Sequence, residues 1–514
     1  MTAAIKRSAA RAGAPLSIAA GALALRLVAG VGFVNYDTLY ALAWGGQLSR
    51  GQPPAYDVAI APTPHPLLEL LGVVLVPLGP RTARDVTVAL GFLALAACGW
   101  VLYRLGARWF SRPVGALAAL IFLTRVPVLS YGVRAYVDVP YVLLVLAALL
   151  VESRRPRAGA PVLALLALAG LLRPEAWAFS GLYWLYAIGW QPAFVRRRRG
   201  RKAHAGEGAP DAWDAPNAPT ARGTLRPPRR SRREIALLAL LAGAAPLVWV
   251  LSDLAITGDA LWSLSNTRHT ASTLGRVKGI ANVPEYIPRR IGEILRPPVL
   301  LAAALGGVLS WSWLRRRALP GAAAGVLAVV VFALFAAVGL PINTRYAFLA
   351  SAILCVFAGA GVFGWLNLPR GDRRRRWWIA GAAVALLALL AYAPSQYRTA
   401  HGEMDELARQ QSIEGDLLAL VDDHAINLAC GPVGVPNHAP IPLLALFLKT
   451  SPRNVVSLQI GHIAAGVYLD PANREVETHY VLDKKDPVAK AVTVPPGFTE
   501  TSANRSWLIF HRCD

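Results

Sequence analysis

Long apolar segments separated by short basic loops follow one another along most of this chain, and this alternation restricts its fold more than any other feature. A helix needs about 20 apolar residues to cross the hydrocarbon of a bilayer, where it satisfies its own backbone hydrogen bonds. The pattern therefore predicts an α-helical polytopic membrane protein with about eleven transmembrane helices. The predicted spans are residues 15–34, 86–106, 113–130, 139–152, 160–173, 176–190, 234–255, 297–313, 320–340, 345–366 and 377–394.

The composition excludes an ordinary soluble protein. Of the 514 residues, 55% are hydrophobic and 16% are charged, which is too apolar for a soluble chain of this length. The net charge of +23 would suit nucleic acid, but the arginines form short clusters between apolar segments, the distribution that membrane topology favours. We expect membrane lipids, and no nucleic acid, among the partners.

Two segments bear on the topology. The N-terminus has the basic flank and apolar run of a signal peptide, but no small-residue cleavage site follows, and we interpret residues 15–34 as a retained first helix. Residues 64–79 are ambiguous, because a short apolar run between prolines either spans the membrane or lies in its interface. If residues 64–79 do not span, all basic clusters fall on one side, as the positive-inside rule favours. The N-terminus is then cytoplasmic and the C-terminus extracytoplasmic, in a bacterial inner membrane.

Two regions differ from the membrane segments. Residues 191–233 hold two arginine-rich runs and too little apolar area to fold, which predicts a disordered basic cytoplasmic loop that anchors the topology or binds a protein partner. Residues 395–514 contain an amphipathic stretch and then short strand-like runs. They predict a small extracytoplasmic α/β domain that follows a transmembrane domain of residues 1–394. Cys430 and Cys513 both lie in it and are either bonded or free.

Unusual polar residues concentrate beside helix ends on the predicted external side. An ionisable group at the edge of the hydrocarbon is costly unless it faces water or a partner, so these residues indicate a functional site. They are Asp37, Tyr40, Asp57, His65, Arg134, Asp138, Arg173, Glu175, Arg268, His269, Arg345 and Tyr346. The middles of the spans are nearly uncharged, with Arg125 and Asp253 the nearest exceptions, whereas a transporter would place ionisable residues near the midplane.

Carboxylates and arginines at one membrane face suit glycosyl transfer from a lipid phosphate. Arginine pairs with phosphate oxygens, and a carboxylate accepts the proton of an incoming hydroxyl. By analogy with glycoside hydrolases, a carboxylate also stabilises an oxocarbenium-like transition state. No glycine-rich loop of a nucleotide-binding fold occurs in the sequence. The alternatives are a transporter or flippase for a lipid-linked glycan, and a glycan ligase or polymerase.

Four motifs in order resemble those of the polytopic GT-C glycosyltransferases. They are YDTLYALAWGGQLSRGQPPAYD at 36–57, TPHPLLELLG at 63–72, YVDVP at 136–140 and NTRY at 343–346. The resemblance covers about residues 20–365. The similar branch contains protein O-mannosyltransferases, the aminoarabinose lipid A transferase, and bacterial mannosyl- and arabinosyltransferases.

The resemblance implies an inverting hexosyl- or pentosyltransferase with a polyprenyl-phosphate sugar as donor and a glycan, lipid or protein as acceptor. It implies that Asp37 is the general base and that Asp138 positions the acceptor or, with Asp37, holds a divalent cation such as Mg or Mn. The family often has a paired acid in the first loop, whereas Asp37 is flanked by Tyr36 and Thr38. The metal requirement is therefore open.

The resemblance also implies substrate-binding residues, with Arg345 as the leading ligand of the donor phosphate. They are Tyr40, Asp57, His65, Arg134, Arg173, Glu175, Arg268, Arg345 and Tyr346. Structural roles remain open: Asp37 and Asp138 as helix caps, Arg345 and Arg268 as lipid-headgroup contacts, His65 as an interfacial residue, and Arg173 and Glu175 as an ion pair. If the site is real, Asp37, Asp138 and Arg345 converge on one cavity.

Overall fold

The helices run between two ends, one rich in arginine and the other carrying the candidate site residues. The computed structural model describes residues 2–189, 230–481 and 493–513, with side chains from residue 13 onward. In chain order the helices are α1 (Thr2–Ala29), α2 (Tyr36–Ser49), α3 (Pro66–Leu75), α4 (Pro80–Trp109), α5 (Arg112–Leu123), α6 (Val126–Val133), α7 (Asp138–Arg154), α8 (Ala160–Leu172), α9 (Glu175–Ala187), α10 (Arg232–Thr257), α11 (Trp262–Thr273), α12 (Val283–Trp313), α13 (Arg315–Ala337), α14 (Phe348–Phe363), α15 (Arg373–Asp422), α16 (Ile441–Phe447) and α17 (Arg474–Val476).

Each predicted span overlaps a helix, except that residues 113–130, predicted as one span, form the two helices α5 and α6. Within the described residues, six helices are long and apolar enough to cross a membrane: α4, α10, α12, α13, α14 and α15, with α12 and α14 taken together with their adjoining 3-10 turns. The pair α5 and α6, bent by 66° between them, is a seventh candidate, and three apolar helices are shorter. The chain is therefore a multi-pass α-helical membrane protein, and the number of eleven spans stays a prediction.

The ambiguous segment 64–79 forms α3 and a short 3-10 turn, and it packs against α2. Their backbones meet at Gly45, where an added Cβ would lie 2.3 Å from the Glu69 carbonyl oxygen. Small residues allow such close helix crossings. The two short helices thus form one unit at the site end of the molecule.

The arginine clusters within the described residues lie together at the opposite end. Arg108 Nε donates to the carbonyl of Ser153 at 2.5 Å, and Arg230 Nη2 donates to that of Arg157 at 2.7 Å. This separation is what the positive-inside rule describes, and the side that is cytoplasmic stays a prediction. The predicted basic loop 191–233 lies outside the described residues except for its last four.

Helix α14 lies at the centre of the bundle, with nearly all of its residues buried. It crosses α12 at two glycines. A Cβ on Gly306 would lie 1.9 Å from the Phe357 carbonyl oxygen, and one on Gly361 would lie 2.2 Å from that of Ala302. Arg345 lies in the 3-10 turn Thr344–Ala347, which directly precedes α14. The close crossing therefore holds the helix that positions Arg345.

The C-terminal part contains a five-stranded sheet of order β2-β1-β3-β5-β4. The strands are β1 (Val433–Val435), β2 (Val455–Ser457), β3 (Gly466–Pro471), β4 (Thr499–Ala503) and β5 (Trp507–Arg512). Strand β1 pairs in parallel with β2 and β3, while β5 pairs antiparallel with β3 and β4. A disulfide joins Cys430 to Cys513. The predicted small α/β region is confirmed.

This sheet region is docked on the first loop of the membrane part. Trp44 of α2 belongs to the same hydrophobic core as Leu443 of α16 and Trp507 of β5. Arg453 forms an ion pair with Asp57 at 2.7 Å. Helix α15 runs unbroken from Arg373 to Asp422, across the predicted boundary at residue 394. The division into two domains at that residue stays a prediction.

Candidate functional site

Asn35 joins the start of α2 to the loop between α6 and α7. Its Oδ1 accepts hydrogen bonds from the backbone N–H groups of Asp37 at 2.9 Å and Thr38 at 3.2 Å. Its Nδ2 donates to the carbonyls of Arg134 at 3.0 Å and Ala135 at 3.1 Å. The first turn of α2 is thereby held beside the residues that precede α7, which begins at Asp138.

Charged side chains from four parts of the chain form one ion-pair cluster. Arg345 Nη1 donates to Asp37 Oδ2 at 2.6 Å and lies 3.8 Å from Asp138 Oδ2. Arg173 Nη1 donates to Asp138 Oδ1, and Arg173 Nη2 donates to Glu175 Oε1 at 2.5 Å. Asp37, Asp138 and Arg345 meet in this cluster, but of the three only Asp37 and Arg345 line a cavity. Arg173 and Glu175 form the ion pair that was the structural alternative for them.

Local sequence explains how the arginines reach this cluster. Pro174 has no N–H group and therefore cannot continue the hydrogen bonds of α8, which ends at Leu172. The chain turns at Arg173, and Glu175 begins α9. Tyr346 lies between the two arginines: its ring centroid is 4.2 Å from the Arg173 guanidinium carbon and 5.7 Å from that of Arg345. The electron-rich ring face stabilises both cations.

A cavity of about 430 Å³ opens beside the cluster. Its charged and polar wall includes Asp37, His65, Arg173, Glu175, Arg268, Arg345 and Tyr346. Another part of the wall is apolar and comes from α9, α10, α11 and α13; it includes Trp177, Trp249, Leu264, Leu334 and Phe335. The cavity therefore has an apolar side, to which the candidate spans α10 and α13 contribute, and a charged side around Asp37.

The surroundings fix the protonation states of two wall residues. Burial alone would raise the pKa of Asp37, but the Arg345 guanidinium outweighs it and holds the pKa below its usual value, so the carboxylate is ionised at neutral pH. Burial lowers the pKa of His65 to about 4, which leaves the imidazole neutral. Within the described residues, His65 Nδ1 is buried without a hydrogen-bond partner.

Four predicted site residues are not part of this cavity wall as described. Asp138 is 1% exposed and reaches the site only through Arg345 and Arg173. Tyr40 is fully buried in the core that α2 shares with the sheet region.

The other two contact protein groups elsewhere. Asp57 pairs with Arg453 at the surface. Arg134 donates from Nε to the Ser130 carbonyl at 3.1 Å, and its guanidinium carbon lies 5.0 Å from the Tyr136 ring centroid. For Tyr40, Asp57 and Arg134, which were predicted to bind substrate, the structure therefore shows packing and pairing roles.

Comparison with known proteins finds an extended similarity to a solved structure. No protein-family model matches the chain, and no curated protein matches it. The crystal structure of ArnT from Cupriavidus metallidurans, bound to undecaprenyl phosphate, is similar with a TM-score of 0.54 and 13% identity, over 97% of this chain and 98% of ArnT. The chain has the GT-C fold. The resemblance seen in the sequence is thereby confirmed at the level of the fold.

A second solved structure is less similar. The apo oligosaccharyltransferase of Archaeoglobus fulgidus matches with a TM-score of 0.42 and 12% identity, over 76% of this chain and 55% of that protein. That TM-score is too low to show a shared fold.

The two acids at the centre of this GT-C fold do not fit a metal site. The guanidinium of Arg345 contacts both Asp37 and Asp138, in the place where a shared cation would have to bind. Within the described residues, no group of three or more His, Cys, Asp or Glu side chains is arranged to hold a metal ion. A metal held by Asp37 and Asp138 would require Arg345 to leave the cluster.

Arg276 and His438 are among the polar residues of the cavity wall that were not predicted from the sequence. Arg276 lies in the same polar segment as Arg268, between two predicted spans. A second arginine in that segment was a signal from which the residue could have been predicted. His438 lies in the C-terminal region, and nothing in the sequence connects it to the first loop. Asp253, noted earlier as an exception within a span, accepts hydrogen bonds from both the N–H and the hydroxyl of Ser263 at 2.8 Å.

Proposed function

We propose that this chain is an integral-membrane glycosyltransferase that transfers a sugar from a polyprenyl-phosphate donor to an acceptor hydroxyl at the external face of a bacterial inner membrane. The observation that carries the proposal is the ionised Asp37 carboxylate, held by Arg345 at the charged side of a cavity whose other side is apolar. Undecaprenyl phosphate in the similar ArnT structure supports the donor class.

The two sides of the cavity suit the two parts of such a donor. The prenyl chain lies against the apolar side, and the phosphate meets arginine. Among the described residues, Arg345 makes a hydrogen bond only through Nη1, which leaves Nε and Nη2 for phosphate oxygens. Arg268 and Arg276 also line the cavity, and neither forms an ion pair with a described carboxylate. Guanidinium groups bind phosphate through paired hydrogen bonds.

In the transfer step, the acceptor hydroxyl attacks the anomeric carbon and gives its proton to Asp37. The bond between the anomeric carbon and the phosphate oxygen breaks, and its electron pair leaves with the phosphate. The products are the glycosylated acceptor and the free polyprenyl phosphate. Attack opposite the leaving group inverts the anomeric centre, and the Asp37 carboxylate stabilises the oxocarbenium-like transition state.

Arg345 couples donor binding to the strength of this base. In the structure described here it holds the pKa of Asp37 low, which makes the carboxylate a weak proton acceptor. When the donor phosphate takes up part of the guanidinium charge, burial of Asp37 is less compensated and its pKa rises. The base thus becomes effective when the donor is in place. Asp138 contacts both Arg345 and Arg173 without lining the cavity, and it positions the two guanidinium groups.

The direct test is sugar transfer by the purified protein in lipid nanodiscs. Polyprenyl phosphates carrying labelled mannose, glucose, galactose or arabinose are supplied one at a time with native membranes as the acceptor source. We expect Asp37→Asn to lower transfer about a thousandfold, the range of a lost general base. Asp57→Asn is the matched control, because this acid of the same loop lies outside the cavity wall.

A flippase or transporter gives a different result. It would move the lipid-linked sugar across the bilayer without releasing polyprenyl phosphate, and Asp37→Asn would change its rate little. Wild-type protein that moves the donor but forms no glycosylated product with any of the four donors would overturn the proposal.

A further inference from the structure

The polar end of the C-terminal sheet has the form of a ligand site. Strand β1 lies between β2 and β3 in the sheet. After β1 the chain passes through α16 to β2 on one side of β1, and it then crosses to β3 on the other side. In sheets with parallel strands, ligands bind outside the carboxyl ends at such a reversal of strand order. The loop after β1 carries His438 at this position, and the loop after β2 carries Gln459. His438 Nδ1 lies 3.2 Å from Gln459 Oε1.

This end of the sheet faces the cavity of the membrane part. His438 lines the cavity and lies edge-on to Tyr36, with a distance of 5.3 Å between ring centroids and an angle of 84° between the rings. Tyr36 is the neighbour of Asp37. The docking of the sheet on α2 through their shared hydrophobic core fixes the imidazole there.

The position of His438 relates it to one substrate. The apolar part of the wall comes from helices that include the candidate spans α10 and α13, whereas His438 comes from the sheet region outside the spans. A donor anchored by a prenyl chain enters from the side of the membrane helices. The acceptor hydroxyl must then reach Asp37 from another direction, past the wall that His438 forms.

Resting on the proposed function, we propose that His438 binds the acceptor substrate and that the C-terminal sheet region therefore completes the active site. An imidazole both donates and accepts hydrogen bonds, which suits a hydroxyl-bearing acceptor. His438 is half-buried, so that it is held by its neighbours yet open to the cavity. The residue is a binding residue, and the proton transfer stays with Asp37.

Three substitutions at one position separate binding from packing. His438→Ala removes both the ring and its nitrogens. His438→Phe keeps a ring against Tyr36 and removes the hydrogen-bonding atoms. His438→Gln keeps a polar donor and acceptor. His462→Ala is the control, because His462 is an exposed histidine of the same sheet region outside the cavity wall.

Each purified variant, in lipid nanodiscs, is supplied with the active labelled donor and with native membranes as the acceptor source. Product formation is measured against the amount of acceptor membrane, and release of free sugar to water is measured in parallel. We expect His438→Ala and His438→Phe to raise the half-saturating amount of acceptor about tenfold, the effect of one lost hydrogen bond, with an unchanged half-saturating donor concentration. His438→Gln should lie nearer the wild type.

Each outcome decides the proposal. If His438→Phe behaves as wild type while His438→Ala is impaired, the residue only packs and the inference is wrong. If all three variants match His462→Ala, the sheet region takes no part in acceptor binding, and the inference is again wrong. Wild-type protein that neither transfers nor releases sugar, and so gives no more product than Asp37→Asn, overturns the proposed function itself. A failure of the His438 inference alone leaves the wild type active and Asp37→Asn inactive.

Discussion

Arg345, in the turn that begins α14, donates a hydrogen bond of 2.6 Å to Asp37 in the first turn of α2. This contact joins two motifs that are far apart in the chain, and it balances the burial of the carboxylate with a fixed positive charge. The tuning of Asp37 by Arg345 is therefore open to experiment.

Arg345→Gln should move the acidic limb of the pH–rate profile upward. In the donor-free wild type the pKa of Asp37 lies below its usual value, so kcat/KM, which reports the free enzyme, falls only when the pH drops below that range. Without the guanidinium, burial dominates and raises the pKa, and activity is lost at a higher pH. Rates of donor hydrolysis between pH 3 and 8 measure the shift. Arg134→Gln, outside the cavity, should leave the limb in place; an unshifted limb in Arg345→Gln would contradict the assignment.

Asn35 should prove to be a positioning residue. Asn35→Asp keeps an acceptor for the N–H groups of Asp37 and Thr38 but cannot donate to the carbonyls of Arg134 and Ala135. Asn35→Ala loses both sets of bonds and about 1 kcal/mol of stability through the missing cap.

We expect kcat to fall in both Asn35 variants and thermal stability to fall more in Asn35→Ala. Melting curves and kcat values, measured together, check this. A variant with wild-type kcat would show that the contact between α2 and the 134–138 loop does not position Asp37.

His65 should make the protein less stable in mild acid. Its folded pKa is about 4, whereas the unfolded chain titrates near 6.5. Between these values the unfolded state binds a proton that the folded state does not, so the free energy of unfolding falls as the pH falls from 6.5 to 4. The loss approaches about 3 kcal/mol below pH 4. His65→Asn should flatten this dependence in melting curves at pH 7, 6, 5 and 4; an unchanged slope would assign the acid sensitivity to other groups.

Two neighbouring glycines of α12 should respond differently to alanine. A Cβ on Gly306 would overlap the Phe357 carbonyl oxygen, while a Cβ on Gly307 would meet nothing within 4 Å. Gly306→Ala should therefore destabilise the protein by about 3 kcal/mol, and Gly307→Ala should not destabilise it. Thermal unfolding in detergent compares the two. Equal melting temperatures would mean that α12 and α14 do not cross as closely as described.

Chelators should leave catalysis intact. The contacts of Arg345 with both Asp37 and Asp138 place a cation of the protein where a metal would bind. Transfer rates with EDTA, and after re-addition of Mg²⁺ or Mn²⁺, should therefore agree. Loss of activity with EDTA and its recovery with one of these ions would restore a divalent metal to the mechanism.

The sequence by itself determined the membrane character and the positions of the helices. Apolar length and arginine clusters act locally along the chain, since each span must satisfy its own backbone and each basic loop stays on one side of the bilayer. The same local signals singled out Asp37, Asp138, Arg173, Glu175 and Arg345, because charges at helix ends stand out against an apolar background. The lengths of the spans were less certain, since residues 113–130, predicted as one span, form two helices that are bent by 66° between α5 and α6.

Only the tertiary structure decided which of these charges meet. Tyr40, Asp57 and Arg134 lie in the same motifs as Asp37 and Asp138, yet the docking of the sheet region on α2 and the contacts of Arg134 with α6 direct them away from the cavity. His438 reaches the cavity for the same reason. Side-chain direction and domain docking depend on contacts between segments that are far apart in the sequence. Local sequence patterns do not show which distant segments make contact.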